Sequence, residues 1–171
     1  MKAPHFDLQG VDGRRYSPVT ARGDNGLVVM FICNHCPYVK AVLDRIIRDC
    51  SELAPHGIGS IAIMPNDPAD YPEDSFDNMK RIAQAKRFPF PYVIDETQDV
   101  ARAYGVVCTP EFFGFDAGLE LQYHGRLDAS RREPVPNARR ELYEAMVQIA
   151  ASGTGPKEQH ASVGCSIKWK T

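Results

Sequence analysis

No charge of either sign dominates this sequence. Lysine and arginine total 20 against 22 aspartates and glutamates, a formal net charge of −2. The concentrated basic face that binds phosphate backbones is therefore lacking, and nucleic acid is excluded as an expected partner. Long apolar runs are lacking as well. No stretch approaches the roughly 20 apolar residues that span a bilayer, and Met1 to Pro18 hold no apolar core of a secretory signal. The expectation is a cytoplasmic protein with no membrane partner. A hydrophobic share of 43% argues against a disordered chain. Its 171 residues suffice for one domain, of a size that buries roughly 70% of its unfolded surface without disulfide staples. The five cysteines, an odd number, need another explanation. Where thiols are kept reduced, they point to redox, metal or catalytic chemistry.

No internal repeat divides the chain. Phe6 to Leu8 and Arg15-Tyr16, separated by Val11-Asp12-Gly13, predict an amino-terminal hairpin, because Asp-Gly tolerates the backbone of a tight turn. Leu27 to Ile32 and Ile58 to Met64 read as strands covered on both faces. Between them Val39, Val42, Leu43, Ile46, Ile47, Cys50 and Leu53 recur at helical steps, and Pro37 fits the first turn, where no amide donor is needed. A Pro-rich loop from Pro65 to Tyr71 leads to a helix from Pro72 to about Arg87. A strand at Tyr92 to Ile94, a helix from Gln98 to Tyr104, a strand at Phe112 to Phe115, a turn at Asp116 to Gly118 and a strand from Leu121 to His124 follow. The last helix is expected from Asn137 to Ala151, with Ala138, Leu142, Met146 and Ile149 inward. This order predicts an α/β domain over residues 1–152, a mixed central sheet flanked by helices with an amino-terminal hairpin, and a tail over 153–171.

Cys33-Asn34-His35-Cys36 stands where the first buried strand stops and the first core helix starts. Unpaired amides at a helix start stabilise an anion, so Cys33 is expected to ionise near neutral pH and attack a disulfide. Cys36, in the first turn, can reach back and resolve the mixed disulfide. His35, when protonated, would lower Cys33 further and make the pair more oxidising; the alternative is a solvent-facing spacer. Cys-x-x-Cys is also half of a zinc site, but no second pair exists to complete it.

Phe31-Ile32-Cys33-Asn34-His35-Cys36-Pro37-Tyr38-Val39 in a β-α-β frame, with Tyr104-Gly105-Val106-Val107-Cys108-Thr109-Pro110 before a strand, resembles the thioredoxin superfamily. More narrowly, these residues and the closing Gly164-Cys165-Ser166-Ile167-Lys168-Trp169-Lys170 are similar to peroxiredoxin-like thioredoxin-fold proteins that retain the Cys-x-x-Cys. The resemblance implies a thioredoxin-like fold, Cys33 as attacking thiol, Cys36 as resolving thiol, Asn34, His35 and Pro37 shaping the site, Pro110 as a cis-proline facing the pair, and Thr109 at the substrate groove. Two departures stand out. Thioredoxins carry Trp before the first cysteine and a buried Asp six residues upstream, where this chain has Ile32 and Leu27. Peroxiredoxins carry Pro-x-x-x-Thr-x-x-Cys; with Cys36-Pro37 laid on the peroxidatic Cys-Pro, Cys33 falls on the threonine and Val29 on the proline.

Cys108, two residues before Pro110, is expected near the pair, as a third redox thiol, as a soft-metal or iron–sulfur ligand with Cys33 and Cys36, or as a small apolar side chain. Cys50 lies on the apolar face of the first helix and reads as packing. Cys165 reads as a tail thiol that is either incidental or resolving. Arg126 reads first as a surface pair with Asp128, and otherwise as an aid to a thiolate or a binder of substrate carboxylate; Glu111 is the candidate nearby acid. The leading expectation is a thiol–disulfide oxidoreductase acting on a protein or small-molecule disulfide with a thiol reductant, with no cofactor and no metal. The alternatives are a thiol peroxidase using the same cysteines, and a metal-binding module on Cys33, Cys36 and Cys108.

Overall fold

The longest apolar run sets the centre of the molecule, which a computed structural model describes over residues 1–171. A strand with no polar face is stable only when both faces are covered, and every residue of β3 (Gly26–Phe31) is buried. Alternation divides its side chains: Val28 and Met30 join one apolar cluster, Leu27, Val29 and Phe31 the other. Ahead of it stand an antiparallel hairpin, β1 (Leu8–Gln9) and β2 (Arg15–Tyr16), and a one-turn helix α1 (Pro18–Ala21). Gly13 takes the left-handed φ of +83° that the hairpin turn requires.

Beyond β3 the order is α2 (Pro37–Lys40), α3 (Leu43–Leu53), β4 (Ile58–Met64), α4 (Phe76–Ala85), β5 (Tyr92–Ile94), α5 (Asp99–Tyr104), β6 (Cys108–Thr109), β7 (Glu111–Asp116), β8 (Leu121–Gly125), α6 (Glu141–Ser152) and β9 (Cys165–Ser166). The mixed central sheet has five strands, ordered β5-β4-β3-β7-β8. Strand β4 pairs parallel with β5, and β7 pairs antiparallel with β3 and β8. Where β3 meets β4, the Ile32 amide donates to the Ile63 carbonyl at 3.0 Å. Residues of α3, α4 and α6 cover one face; Val100, Ala101 and Tyr104 of α5 cover the other, with Phe6 and Ile167. The hairpin hangs on the β5 edge through the Val11 amide and the Tyr92 carbonyl, 3.0 Å apart. No helix is long and apolar enough to cross a membrane.

Four elements differ from the sequence expectation. Helix α4 begins at Phe76 rather than Pro72, because Pro72–Asp74 forms a separate 3-10 turn and Ser75 caps the helix by accepting the Asn78 amide at 3.2 Å. The first core helix is broken between α2 and α3 at Val42, whose dihedrals are −120° and 4°. The Val42 amide bonds back to the Val39 carbonyl at 3.1 Å, a tightened turn that keeps Val39, Val42, Ile46, Cys50 and Leu53 on the core side of both pieces. Helix α6 starts at Glu141 rather than Asn137, because Asn137 is left-handed with φ +54° and turns the chain. Ala138, expected in the core, is therefore half-buried outside the helix. The segment after α6 runs back along β8 and crosses to β6, where β9 pairs antiparallel with it, Thr109 opposite Cys165 and Cys108 opposite Ser166. Ile167 is buried beyond that strand.

Candidate active site

Pro37 decides which cysteine caps the helix. A proline has no amide to donate and its fixed φ suits the first helical position, so α2 begins at Pro37 and Cys36 is its N-cap, with φ −70° and ψ 124°. The expectation that Cys33 holds the helix start is corrected by this register: Cys33 lies three residues ahead of the cap. The Thr109–Pro110 bond is cis and brings Thr109, itself buried, against both thiols. Cys33 Sγ is 3.4 Å from Thr109 Oγ1, and the Cys36 thiol lies 3.4 Å from the Thr109 carbonyl. Cys33 and Cys36 are 3% and 0% exposed.

The environments of the two thiols push them in opposite directions. Their mutual hydrogen bond raises Cys33 well above its ordinary value, with burial and the Asp74 carboxylate acting in the same direction. That bond lowers Cys36; burial opposes the shift, while Cys165, the Val39 amide and Thr109 add to it. These causes favour an anion on Cys36, at the cap, and a proton on Cys33, beside the acid.

Asp74 organises the other side of the site. Fully buried, it accepts the Asn34 amide at 2.7 Å and the His35 amide at 3.3 Å on Oδ1, and faces His35 Nδ1 at 2.5 Å and Asn66 Nδ2 at 3.1 Å on Oδ2. Asn34 is fixed further by the Tyr92 hydroxyl, which donates to its Oδ1 at 2.8 Å. The His35 ring stacks on Tyr71 at 4.5 Å between centroids and its side chain is 14% exposed, so it is neither a free spacer nor pointed at the solvent. Donor atoms of Cys33, His35 and Asp74 lie within 4.8 Å of one another, a convergence that these hydrogen bonds account for.

The remaining expected site residues divide. Cys165 Sγ lies 2.7 Å from Cys36 Sγ, which puts the tail thiol at the site. Cys108 turns away: its sulfur contacts Glu111 Oε1 and the Ser162 carbonyl at 3.9 Å each, and it does not join Cys33 and Cys36 in a common ligand cluster, which removes the geometric basis for a three-cysteine metal site. Glu111 accepts the Val107 amide at 3.0 Å and bonds the ring of His124, so it braces the β6 approach rather than serving either active thiol. Arg126 binds both oxygens of Glu141 at 3.0 Å, not Asp128, whose partner is Arg45 at 2.8 Å. Cys50 is a core residue with its sulfur 3.9 Å from that of Met30.

Sequence reasoning missed Asp74, Asn66 and Gln98. Asp74 falls in what the sequence reads as the first turn of a helix from Pro72; in the structure Pro72–Asp74 forms a separate turn ahead of α4, and only the third dimension shows it folding onto the Asn34 and His35 amides. Gln98, left-handed at φ +68°, donates to the Pro65 and Lys168 carbonyls at 2.9 Å each and accepts the Lys170 amide, clamping the tail.

Over its whole length the fold is shared with solved structures. An uncharacterized conserved protein from Geobacillus kaustophilus is 43% identical, with 99% of this chain and 91% of that chain covered at a TM-score of 0.93. A hypothetical protein from Sinorhizobium meliloti 1021 is 30% identical over 99% and 93% of the two chains, at 0.94. At 18% identity a thiol:disulfide interchange protein of the thioredoxin family from Chlorobium tepidum TLS shares the fold, with 88% and 95% of the two chains covered at a TM-score of 0.66. No curated protein matches the chain. The profile of the AhpC/TSA family matches residues 1–124, which carry the Cys-x-x-Cys, Asp74 and the cis-proline, and the chain accordingly belongs to the AhpC/TSA family, as a peroxiredoxin-like member of the thioredoxin superfamily with a thiol redox function.

Proposed function

We propose that the protein is a thiol–disulfide oxidoreductase that cycles Cys33 and Cys36 between dithiol and disulfide. Its substrate is a protein or small-molecule disulfide and its electrons come from a thiol reductant. The observation that carries this reading is the geometry of the pair: Cys36 is the N-cap of α2, and both thiols lie 3.4 Å from Thr109 beside the cis-proline; the direction of the shifts, Cys36 down and Cys33 up, agrees with it. The Cys36 thiolate attacks one sulfur of the substrate disulfide and expels the other half as a thiolate. Cys33, its proton lost toward the His35–Asp74 pair, then attacks the Cys36 sulfur, releasing the second half and closing Cys33–Cys36.

Return to the dithiol favours attack on Cys33. The lower-pKa thiol leaves faster, so a reductant that bonds to Cys33 frees Cys36 as thiolate. Cys33 also lines a cavity of about 220 Å³ with Ile32, Val39, Leu43, Ile82 and Phe88, whereas Cys36 is not among its walls.

Peroxide reduction is the second reading, favoured by one observation: Cys36 is the N-cap of α2 and is followed by Pro37, a Cys-Pro pair similar to the peroxidatic one. It ranks lower because no arginine donates to either sulfur and Arg126 is held by Glu141. Reduction of a protein disulfide with dithiothreitol as donor tests the assignment. Cys36→Ser should abolish turnover, and Cys33→Ser should stop turnover with Cys36 held in a disulfide, either to the substrate or within the chain. Full activity in both variants would overturn it, and rapid hydroperoxide consumption requiring Cys36, with no disulfide reduction, would put the second reading first.

A further inference from the structure

The carboxy-terminal strand delivers a third thiol to Cys36. Cys165 Sγ is 2.7 Å from Cys36 Sγ, against the roughly 2.05 Å of a disulfide bond, so bond formation needs a shift of less than an ångström. Cys33 instead faces Thr109 Oγ1 and the Asp74 side of the site.

The approach of Cys165 is built by its neighbours. Strand β9 pairs with β6 so that Cys165 lies opposite Thr109. Gly164 lets the strand come that close: a Cβ there would stand 1.9 Å from the Thr109 carbonyl oxygen. Both flanks are tied down. Ser162 Oγ donates to the Gly125 carbonyl at 2.7 Å, and the Lys168 backbone bonds Asp67, Asn66 and Gln98 at 2.8 to 2.9 Å. An incidental tail thiol would need none of these fastenings.

We propose that Cys165 is a third redox-active thiol, which resolves the mixed disulfide on Cys36 before Cys33 does. This rests on the reading of Cys36 as the attacking thiolate. First, Cys36 thiolate bonds to one sulfur of a substrate disulfide and the other sulfur leaves as a thiolate. Next, Cys165, deprotonated by that departing thiolate, bonds to Cys36 and expels the remaining half. Finally, Cys33 attacks the Cys36 sulfur, the Cys36–Cys165 bond breaks, and Cys165 takes up the proton that Cys33 gives up. One substrate disulfide is reduced to two thiols, Cys33 and Cys36 are oxidised to one disulfide, and Cys165 is regenerated. The tail thiol clears substrate from the buried Cys36 while Cys33 remains protonated.

The test uses the full chain with Cys33→Ser, one equivalent of glutathione disulfide, an alkylating quench and peptide mass mapping. A Cys36–Cys165 bridge with loss of the glutathione adduct supports the proposal. In Cys33→Ser/Cys165→Ala, release of the second glutathione should then slow by roughly tenfold or more, because an attack within the molecule is lost. A glutathione adduct that persists on Cys36 with Cys165 reduced in Cys33→Ser overturns the proposal and leaves the proposed function standing. Absence of any adduct or bridge at Cys36 overturns both. Quenching the unsubstituted chain during the reaction gives the same answer without relying on a variant: the Cys36–Cys165 bridge should precede Cys33–Cys36, and its absence at every time point counts against the relay.

Discussion

The side-chain amide of Asn66 donates to Asp74 Oδ2 at 3.1 Å, and its carbonyl oxygen accepts the Lys168 amide at 2.9 Å. One residue therefore joins the buried acid beneath Cys33 to the strand that carries Cys165. The acid and the tail belong to one hydrogen-bonded unit, although 94 residues separate Asp74 from Lys168.

Asp74→Ala should be among the most damaging single changes. It leaves the Asn34 and His35 amides, the His35 ring and the Asn66 amide without their acceptor, and a buried donor left unpaired costs about 1–3 kcal/mol. A loss of about 3 kcal/mol or more in urea denaturation is expected. Asp74→Asn keeps an acceptor for the two backbone amides and should cost less. It also removes a negative neighbour that raises Cys33, so thiolate absorbance near 240 nm should show Cys33 ionising at lower pH than in the parent protein.

The reduced protein should pass through a stability maximum near pH 9. Cys36 is lowered in the folded state, so between neutrality and its ordinary value of 9.0 the unfolded chain binds the extra proton and stability rises with pH. Burial pushes Cys50 and Cys108 from 9.0 up to about 12. Above pH 9 the folded state keeps protons that the unfolded chain loses, and stability falls as pH rises toward 12. At pH 10.5 Cys50 alone accounts for roughly 2 kcal/mol of that loss. Buried Tyr104 and Tyr123, also raised, act with the same sign. Urea midpoints across pH 7 to 11 check this, and Cys36→Ser should flatten the rising limb.

Cys50→Ala should separate packing from chemistry. The side chain is in the core beside Met30, so truncation should cost about 1–2 kcal/mol through lost contacts. The rate of disulfide reduction should stay within about twofold of the parent, since the sulfur touches neither active thiol.

Local patterns carried the framework of the fold. The uninterrupted run at Leu27 to Ile32 could only be a covered strand, and Cys33 to Cys36 at its end had to sit at a strand-to-helix junction. The role within the pair was harder to read, because it turns on where the helix begins: Pro37 takes the first helical position, which moves the cap from Cys33 to Cys36. Asp74 and Cys165 were less legible still. Each reaches the site through contacts made by folding alone, 40 residues from Asn34 in one case and 129 from Cys36 in the other, and nothing in their own neighbourhoods marks a buried acid or a docked thiol. The α6 start was misplaced for a simpler reason: the apolar period continues back to Ala138, but Asn137 adopts a left-handed turn that the period does not register.

Gly164→Ala should unseat the tail while leaving every cysteine in place. The added Cβ would stand 1.9 Å from the Thr109 oxygen and 2.7 Å from its carbonyl carbon, and backbone cannot yield as a flexible side chain would. Strand β9 must then lift from β6. Because the pairing is only two residues long, the global cost should be modest, about 1–3 kcal/mol as for other overpacked sites. The local effect should be larger. Cys36, now buried under Cys165, should be alkylated by iodoacetamide roughly tenfold faster or more, and a protease should cut between Gly153 and Lys170 sooner than in the parent. Equal alkylation rates with an intact tail would mean that Cys36 is shielded by Thr109 and Pro110 rather than by the strand.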